Sequence, residues 1–367
     1  MSRLAHMFVI SSSTAFTFKG KPNDTKRIGR ELGVRYVLEG SVERSGDQTR
    51  VNAQLINAET DAHLWAERFD RVTTDLFSLE DEITRRIAAA LAAQLIAAAA
   101  ARPTERPDVL DYILRGRAAQ PGPATSEARA QAIGLFEHAL ALDPGSIEAR
   151  IRLAAALANR ALAGMSGSRA SDIPRAEMLI GQALEASPGN SHAHLVKASV
   201  LRAQGRCEEA VPECEAVIAS DRNRVGAYAG LGTCKLLTGS IDETIPLEEE
   251  AIHLSPRDPY IGIRYWRIGV AHLLQSHTDE AIVWLEKAAV TLPGYPIHHA
   301  WLTAALALKG ETELAAAELA EARRLSGGRY SSIARLKAVG HFGGPKIRAL
   351  FEATYLTGLR KAGMPEE

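Results

Sequence analysis

The chain has 367 residues and a formal net charge of −1. That length fits two or three domains, and the charge balance leaves no bulk field for nucleic acid or an anionic membrane. Hydrophobic residues make up 46% and aromatic residues 5%, and the abundance of alanine favours close-packed helices over a β-sandwich. Cys207, Cys214 and Cys234 contain no C-x-x-C pair and read as reduced thiols of a cytoplasmic protein.

The first hundred residues differ from the rest. The opening segment carries one arginine and too short an apolar run for a secretory leader. Residues 8–10 are a candidate strand. Asp24 is placed to cap a helix running to about Leu32, where Gly33 stops it. Residues 36–42 favour β structure, Gly46-Asp47 signals a turn, and Val51, Ala53 and Leu55 alternate into a second strand. A third runs from Leu64 to Phe69, with Leu64, Ala66 and Arg68 on one face and Trp65, Glu67 and Phe69 on the other. Short turns between consecutive strands imply an antiparallel meander. Ile83, Ile87, Leu91 and Leu95 recur every four residues in a long helix over about residues 76–100. Its alanine-rich second half falls short of the roughly 20 strongly apolar residues of a membrane span. Residues 101–107 hold two prolines among charges and read as a linker.

Beyond the linker a comb of residues repeats. Ala132, Phe136, Ala139, Pro144 is the clearest copy, followed by Ala176, Ile180, Ala183, Pro188 and by Ala281, Leu285, Ala288, Pro293. Thr244, Glu248, Ala251, Pro256 keeps the frame with two substitutions. Ala315, Leu319, Ala322 lacks the proline, and Ala210, Cys214, Val217 is the weakest. The leading residues are 44, 34, 34, 37 and 34 apart, a period that marks a solenoid of helix pairs. Each comb belongs to the second helix of a pair and ends where proline stops it. First helices carry small residues at Ala154, Ala198, Gly232 and Gly269. Gly205, Gly239 and Gly310 fall in the turns inside pairs, and residues 164–168 form an inserted loop. Two further helices, 331–339 and 345–361, close the array as a cap.

The comb resembles the tetratricopeptide repeat. The stretch from Gly29 to Arg71 is similar to a segment that precedes tetratricopeptide arrays in bacterial signalling proteins, where it forms a small α/β domain like that at the N-terminus of the TolB translocation protein. The resemblance implies a class III adenylate/guanylate cyclase domain or a winged-helix DNA-binding domain ahead of that segment. The ending from Gly358 to Glu366 resembles the close of the same family. The match begins part-way through the family's first helix, which implies a shortened α/β domain whose open sheet edge invites pairing with another chain.

The expected fold is therefore a small α+β domain (1–100), a linker (101–107), an all-α tetratricopeptide superhelical solenoid (108–325) and capping helices (326–367). Catalytic chemistry is not expected. The paired metal-binding aspartates of cyclases have no strand–turn setting here. Lys19-Gly20-Lys21 lacks P-loop spacing, and Ser11-Ser12-Ser13 lacks a G-x-S-x-G context. Asp61, His63 and Asp70 read as turn and edge-strand polar residues, because Asp70 would point away from the other two. His298-His299 reads as a groove or surface pair and not as metal ligands. Glu248-Glu249-Glu250 reads as a solvated helix face. No cofactor or metal is expected, and no basic recognition helix for nucleic acid is legible.

Function then rests with the groove lined by the first helices. Candidate lining residues are His192, Leu195, Ser199, Arg202, Ala229, Thr233, Ile263, Trp266, Val270, Ala300 and Ala304. Trp266 is the best single anchor, against an equal case for core packing. The lining reads as small and apolar, suited to an apolar helix or extended peptide. The leading expectation is a non-catalytic protein-interaction module. The regulatory C-terminal half of a cyclase or of a winged-helix regulator, and a homo-oligomeric scaffold paired through the sheet edge, are its alternatives.

Overall fold

The computed structural model describes residues 18, 24–34, 36–45, 48–72, 108–119, 125–163, 169–256, 258–339 and 344–367. Expectations for residues 8–10, 76–100, 101–107 and 164–168 lie outside the described residues. The chain separates into two units, Met1–Arg106 and Pro107–Glu367.

In the first unit Asp24 caps α1 (Thr25–Leu32) by accepting from the Lys26 N–H, and Gly33 ends the helix at φ 63°. Glycine takes that left-handed conformation without a Cβ clash. β1 (Tyr36–Ser45), β2 (Gln48–Asn57) and β3 (His63–Val72) pair antiparallel in the order β1-β2-β3, the expected meander. Val51 stands opposite Phe69 and Leu55 opposite Trp65. One face is thereby apolar, with Ala53, Leu55 and Phe69 buried. The other face is held by polar cross-strand pairs: Asn52 donates to Ser41, Gln54 donates to Glu39, and Arg50 and Arg68 both reach Asp70.

Among the described residues the second unit is a tetratricopeptide-like array of six helix pairs. They are α2/α3 (Val109–Ala118, Ser126–Leu142), α4/α5 (Ile147–Leu162, Arg169–Ala186) and α6/α7 (Ser191–Ala203, Cys207–Ser220). Then come α8/α9 (Val225–Thr238, Thr244–Leu254), α10/α11 (Ile261–Leu274, Thr278–Thr291) and α12/α13 (Pro296–Lys309, Thr312–Leu325). α14 (Ile333–Val339) follows. α15 (Pro345–Phe351) and α16 (Thr357–Lys361) are joined through a π turn over Glu352–Leu356.

The comb explains the pairing. Ala132, Phe136 and Ala139 are fully buried, as are Ala281, Leu285 and Ala288. In three of the combs the large residue, Phe136, Glu248 or Leu285, fills space that a first-helix Cβ would need. A Cβ on Gly269 would lie 2.6 Å from Leu285 Cγ, and one on Gly116 would collide with the Phe136 ring. Close helix approach and a filled core are thus one requirement.

Pair two also has longer helices than its neighbour. α4 has 16 residues and α5 has 18, against 13 and 14 in α6 and α7, so much of the insertion is extra helix. Arg160 binds the buried Asp172 through two nitrogens at 2.7 and 2.6 Å. Arg169 donates to the Ala203 carbonyl of the next pair.

Glu248, expected on a solvated helix face, is instead buried. It occupies the comb's large apolar position and is fully buried. Arg267 Nη1 meets its Oε1 at 2.8 Å, and Arg264 Nε lies 3.8 Å from its Oε2. Gly232 leaves room for the carboxylate. The pattern of residues alone could not show this, because the arginines come from the following pair.

Two histidines form matching clamps. His194 and His299 each lie 16 residues before a comb alanine. His194 Nδ1 meets Glu213 at 2.6 Å and Nε2 the Pro188 carbonyl at 2.7 Å. His299 repeats this with Glu318 at 2.6 Å and the Pro293 carbonyl at 2.9 Å. Two acceptors per ring require two N–H donors, so the imidazolium form is held. The hydrogen bond to the carboxylate raises both pKa values. His298, by contrast, is buried between Tyr295 and Trp266, and burial lowers it to about 4. The His298-His299 pair is therefore interior and not at the surface or the groove.

Raised histidine pKa values stabilise the fold fully below the unfolded value, near 6.5, and the contribution is lost as pH rises through the folded value. Lowered values act oppositely, removing stability as pH falls from about 6.5 towards 4. Thermal unfolding midpoints should thus fall as pH rises above about 6.5, and His194→Gln/His299→Gln should flatten that limb while leaving the acid limb. The turns inside pairs place Gly205, Gly239 and Gly310 at φ 80°, 93° and 98°, but the equivalent residue before α11 is Ser276 at φ 65°. Ser276→Gly should raise stability by about 1 kcal/mol in urea unfolding.

Candidate functional site: the inner face of the first helices

The first helices form one layer, and the C-terminal segment lies on it. α16 packs on α12, the π turn on α12 and α10, and α15 on α8. Residues 345–361 thus run along three repeats and do more than close the array's end. Tyr355 stacks on Trp301 with centroids 4.0 Å apart and planes within 11°, and Phe351 meets the same indole edge-on at 5.3 Å. At Gly358 a Cβ would lie 2.6 Å from the Ala304 Cα. Ile347, Phe351, Tyr355, Leu356 and Leu359 are buried there. The tail returns to the start of α14, where the Pro365 and Glu366 carbonyls accept from the Ile333 and Ala334 N–H groups. An amphipathic helix has been laid into the groove by the chain itself.

This placement sorts the candidate residues. Ala229, Val270, Ala300 and Ala304 are buried and have no surface to offer a partner. Trp266 is half-buried, 6.4 Å edge-on from Trp301 and 6.2 Å from His298, with its Nε1 out of solvent, so it packs as part of the core beneath the C-terminal helix. Ile263 and Thr233 are half-buried, and the Thr233 hydroxyl is turned back to the Ala229 carbonyl. His192, Leu195, Ser199 and Arg202, all on α6, remain half-exposed in line. Ser199 donates to the Leu195 carbonyl, and Leu195 lies over Gly226.

The open stretch is more basic than its small-residue reading suggested. Arg117 of α2, Arg152 of α4 and Arg224 before α8 all act on His192, whose burial lowers it to about 4. Burial likewise pulls Arg117 down to about 10, with Arg152 adding repulsion and Glu148 opposing it. Arg152 is paired with Glu148 at 2.7 Å. Arg202, Arg264 and Arg267 continue the line towards α10. The sequence reading missed Arg117, Arg152, Arg264 and Arg267. Their common feature, an arginine on a first helix, was visible, but the residues fall at unequal positions in the repeat.

Elsewhere, Asp61 sits in a turn at φ 63° and Asp70 is committed to Arg50 and Arg68. Among the described residues no group of three or more His, Cys, Asp and Glu is placed to hold a metal. Cys207, Cys214 and Cys234 are buried and unbridged. No helix among the described residues is long and apolar enough to cross a membrane.

The contact at Gly358 is steric and testable. Gly358→Val should push α16 off α12 and lower stability by about 2–3 kcal/mol, with faster hydrogen exchange confined to residues 345–367 and the α12 face beneath them.

No family model matches the chain. It is 35% identical over 217 residues to the Rhizobium meliloti (strain 1021) protein named "Putative adenylate cyclase 3", a match covering 57% of this chain and 36% of that one. The chain thus spans about a third of the length of this curated relative. In fold it is similar to the Cut9-Hcn1 complex of the APC/C, with a TM-score of 0.55 at 15% identity, covering 68% of this chain and 47% of that one. It is also similar to a monomeric mutant of IFIT1 with Gppp-AAAA, with a TM-score of 0.54 at 14% identity, covering 79% and 68% of the two chains. The repeat solenoid is the feature shared with these structures, and the chain is distantly related to an adenylate-cyclase-like protein.

Proposed function

We propose that this chain is a non-catalytic protein-interaction module whose open groove, along α2, α4 and α6, binds a segment of a partner protein. The observation that carries this reading is the seating of residues 345–361 on α12, α10 and α8. The inner face already takes an amphipathic helix in its second half, and the first half offers the same kind of layer uncovered by that helix. Half-exposed Leu195 and Ser199 supply a small and apolar track, and His192 and Arg202 flank it. Solenoid layers of this kind present extended surfaces suited to polypeptide ligands.

The relative with 35% identity favours a second, narrower reading. The chain would serve as the regulatory portion of a cyclase-class signalling protein, with the interaction face reporting partner occupancy to a catalytic domain. The TolB-like and winged-helix resemblances belong with this reading. It predicts no chemistry from these residues themselves.

A photo-crosslinking amino acid installed at Leu195 should trap a polypeptide in cells, and one at Leu142, exposed on a second helix, should not. Equal labelling from both positions, or none from Leu195, would remove the groove from the account.

A further inference from the structure

Arg202 stands in the last turn of α6 with its guanidinium across Gly230 of α8, where a Cβ would lie 3.8 Å from Nη1. Its Nε is out of solvent and has no hydrogen-bond partner. No carboxylate among the described residues balances it. The groups that act on it are Arg267, which repels it, and the thiols Cys234, Cys214 and Cys207. Glu248 does not fill the role, because it is already committed to Arg267 and Arg264. That Nε is withdrawn from water without a counter-charge, which is unfavourable, and nothing in the α6–α8 packing requires a guanidinium there: Leu236 occupies the corresponding position of the next first helix and Leu273 that of the one after. Arginine in such a setting matches a planar carboxylate through two parallel hydrogen bonds.

We propose that Arg202 is the anchor of a carboxylate-binding site, taking an acidic side chain from a partner peptide laid along α6 with its apolar side on Leu195. This rests on the groove reading above and names its ligand chemistry. The surroundings favour a peptide over a nucleic acid. Single-stranded nucleic acid needs exposed aromatic platforms, whereas Trp266, Trp301, Phe351 and Tyr355 are packed into the core or beneath the C-terminal helix. Glu148, beside Arg152, also interrupts the basic line, which suits sparse acidic side chains better than a continuous phosphate backbone.

The test uses the full chain and three fluorescent probes: a Leu/Glu amphipathic peptide, its Leu/Gln counterpart, and a single-stranded oligonucleotide. The Leu/Glu peptide should bind at least about tenfold tighter than the Leu/Gln peptide, and Arg202→Gln should abolish that preference while leaving the Leu/Gln affinity unchanged. Arg202→Met, which keeps the stem and removes the charge, should raise the unfolding midpoint of the free protein, the signature of an unbalanced charge kept for a ligand. Equal binding of the two peptides, preference for the oligonucleotide, an acidic preference that survives Arg202→Gln, or a lowered midpoint in Arg202→Met would each overturn the carboxylate site. Any of these can occur while Leu195 still crosslinks a polypeptide, in which case only the ligand chemistry fails. Loss of crosslinking from Leu195 is the separate failure of the groove reading.

Discussion

A pair of alanine-rich helices has too little apolar surface to fold alone, and the architecture of the second unit follows from this. Each large comb residue needs a partner helix close enough to fill, and the partner comes that close only where its own residue is small. Leu285 against Gly269 and Phe136 against Gly116 are the same contact made twice. The remaining face of each pair is satisfied by the next pair, so the array grows until something ends it. At the C-terminal end that something is the helix over residues 345–361, which reuses the rule through Gly358 on Ala304.

Buried charge in this unit has two fates. Where a comb position holds Glu248, two arginines from the following pair compensate it, and where Asp172 is buried, Arg160 grips it with two nitrogens. These pairs tie neighbouring or extended helices together, and their polar groups are costly to leave unmade. Arg202 has no such counterpart among the described residues. Glu248, the nearby buried carboxylate, is paired with Arg264 and Arg267 instead.

The self-filled half of the groove changes how the surface is to be understood. Of the side chains that line first helices, those of the later repeats are covered by the chain's own C-terminal helix, and those of α2, α4 and α6 are the ones the proposed partner would use. Ala300 and Ala304 hold the register expected of lining residues, yet they are interior. Their smallness reflects the approach of a second helix and not the dimensions of a ligand.

Much of this was legible in residues alone. The 34-residue period located the helix pairs, because every pair meets the same local packing requirement and so repeats the same residues. The Asp24 cap, the Gly33 stop and the strand meander were likewise local signals. What the period could not show were contacts between residues distant in sequence. The amphipathic pattern of residues 345–361 says that this helix must cover an apolar surface, but an end cap and a groove filler require the same pattern. Glu248 in a run of three glutamates looks solvated until Arg264 and Arg267 are brought to it from the next repeat. Residue spacing is enough to locate the repeat and its helix pairs. Which first helices the C-terminal segment covers, and which buried charges find a partner, cannot be read from spacing, since burial and counter-charge depend on helices that the chain brings together from far apart.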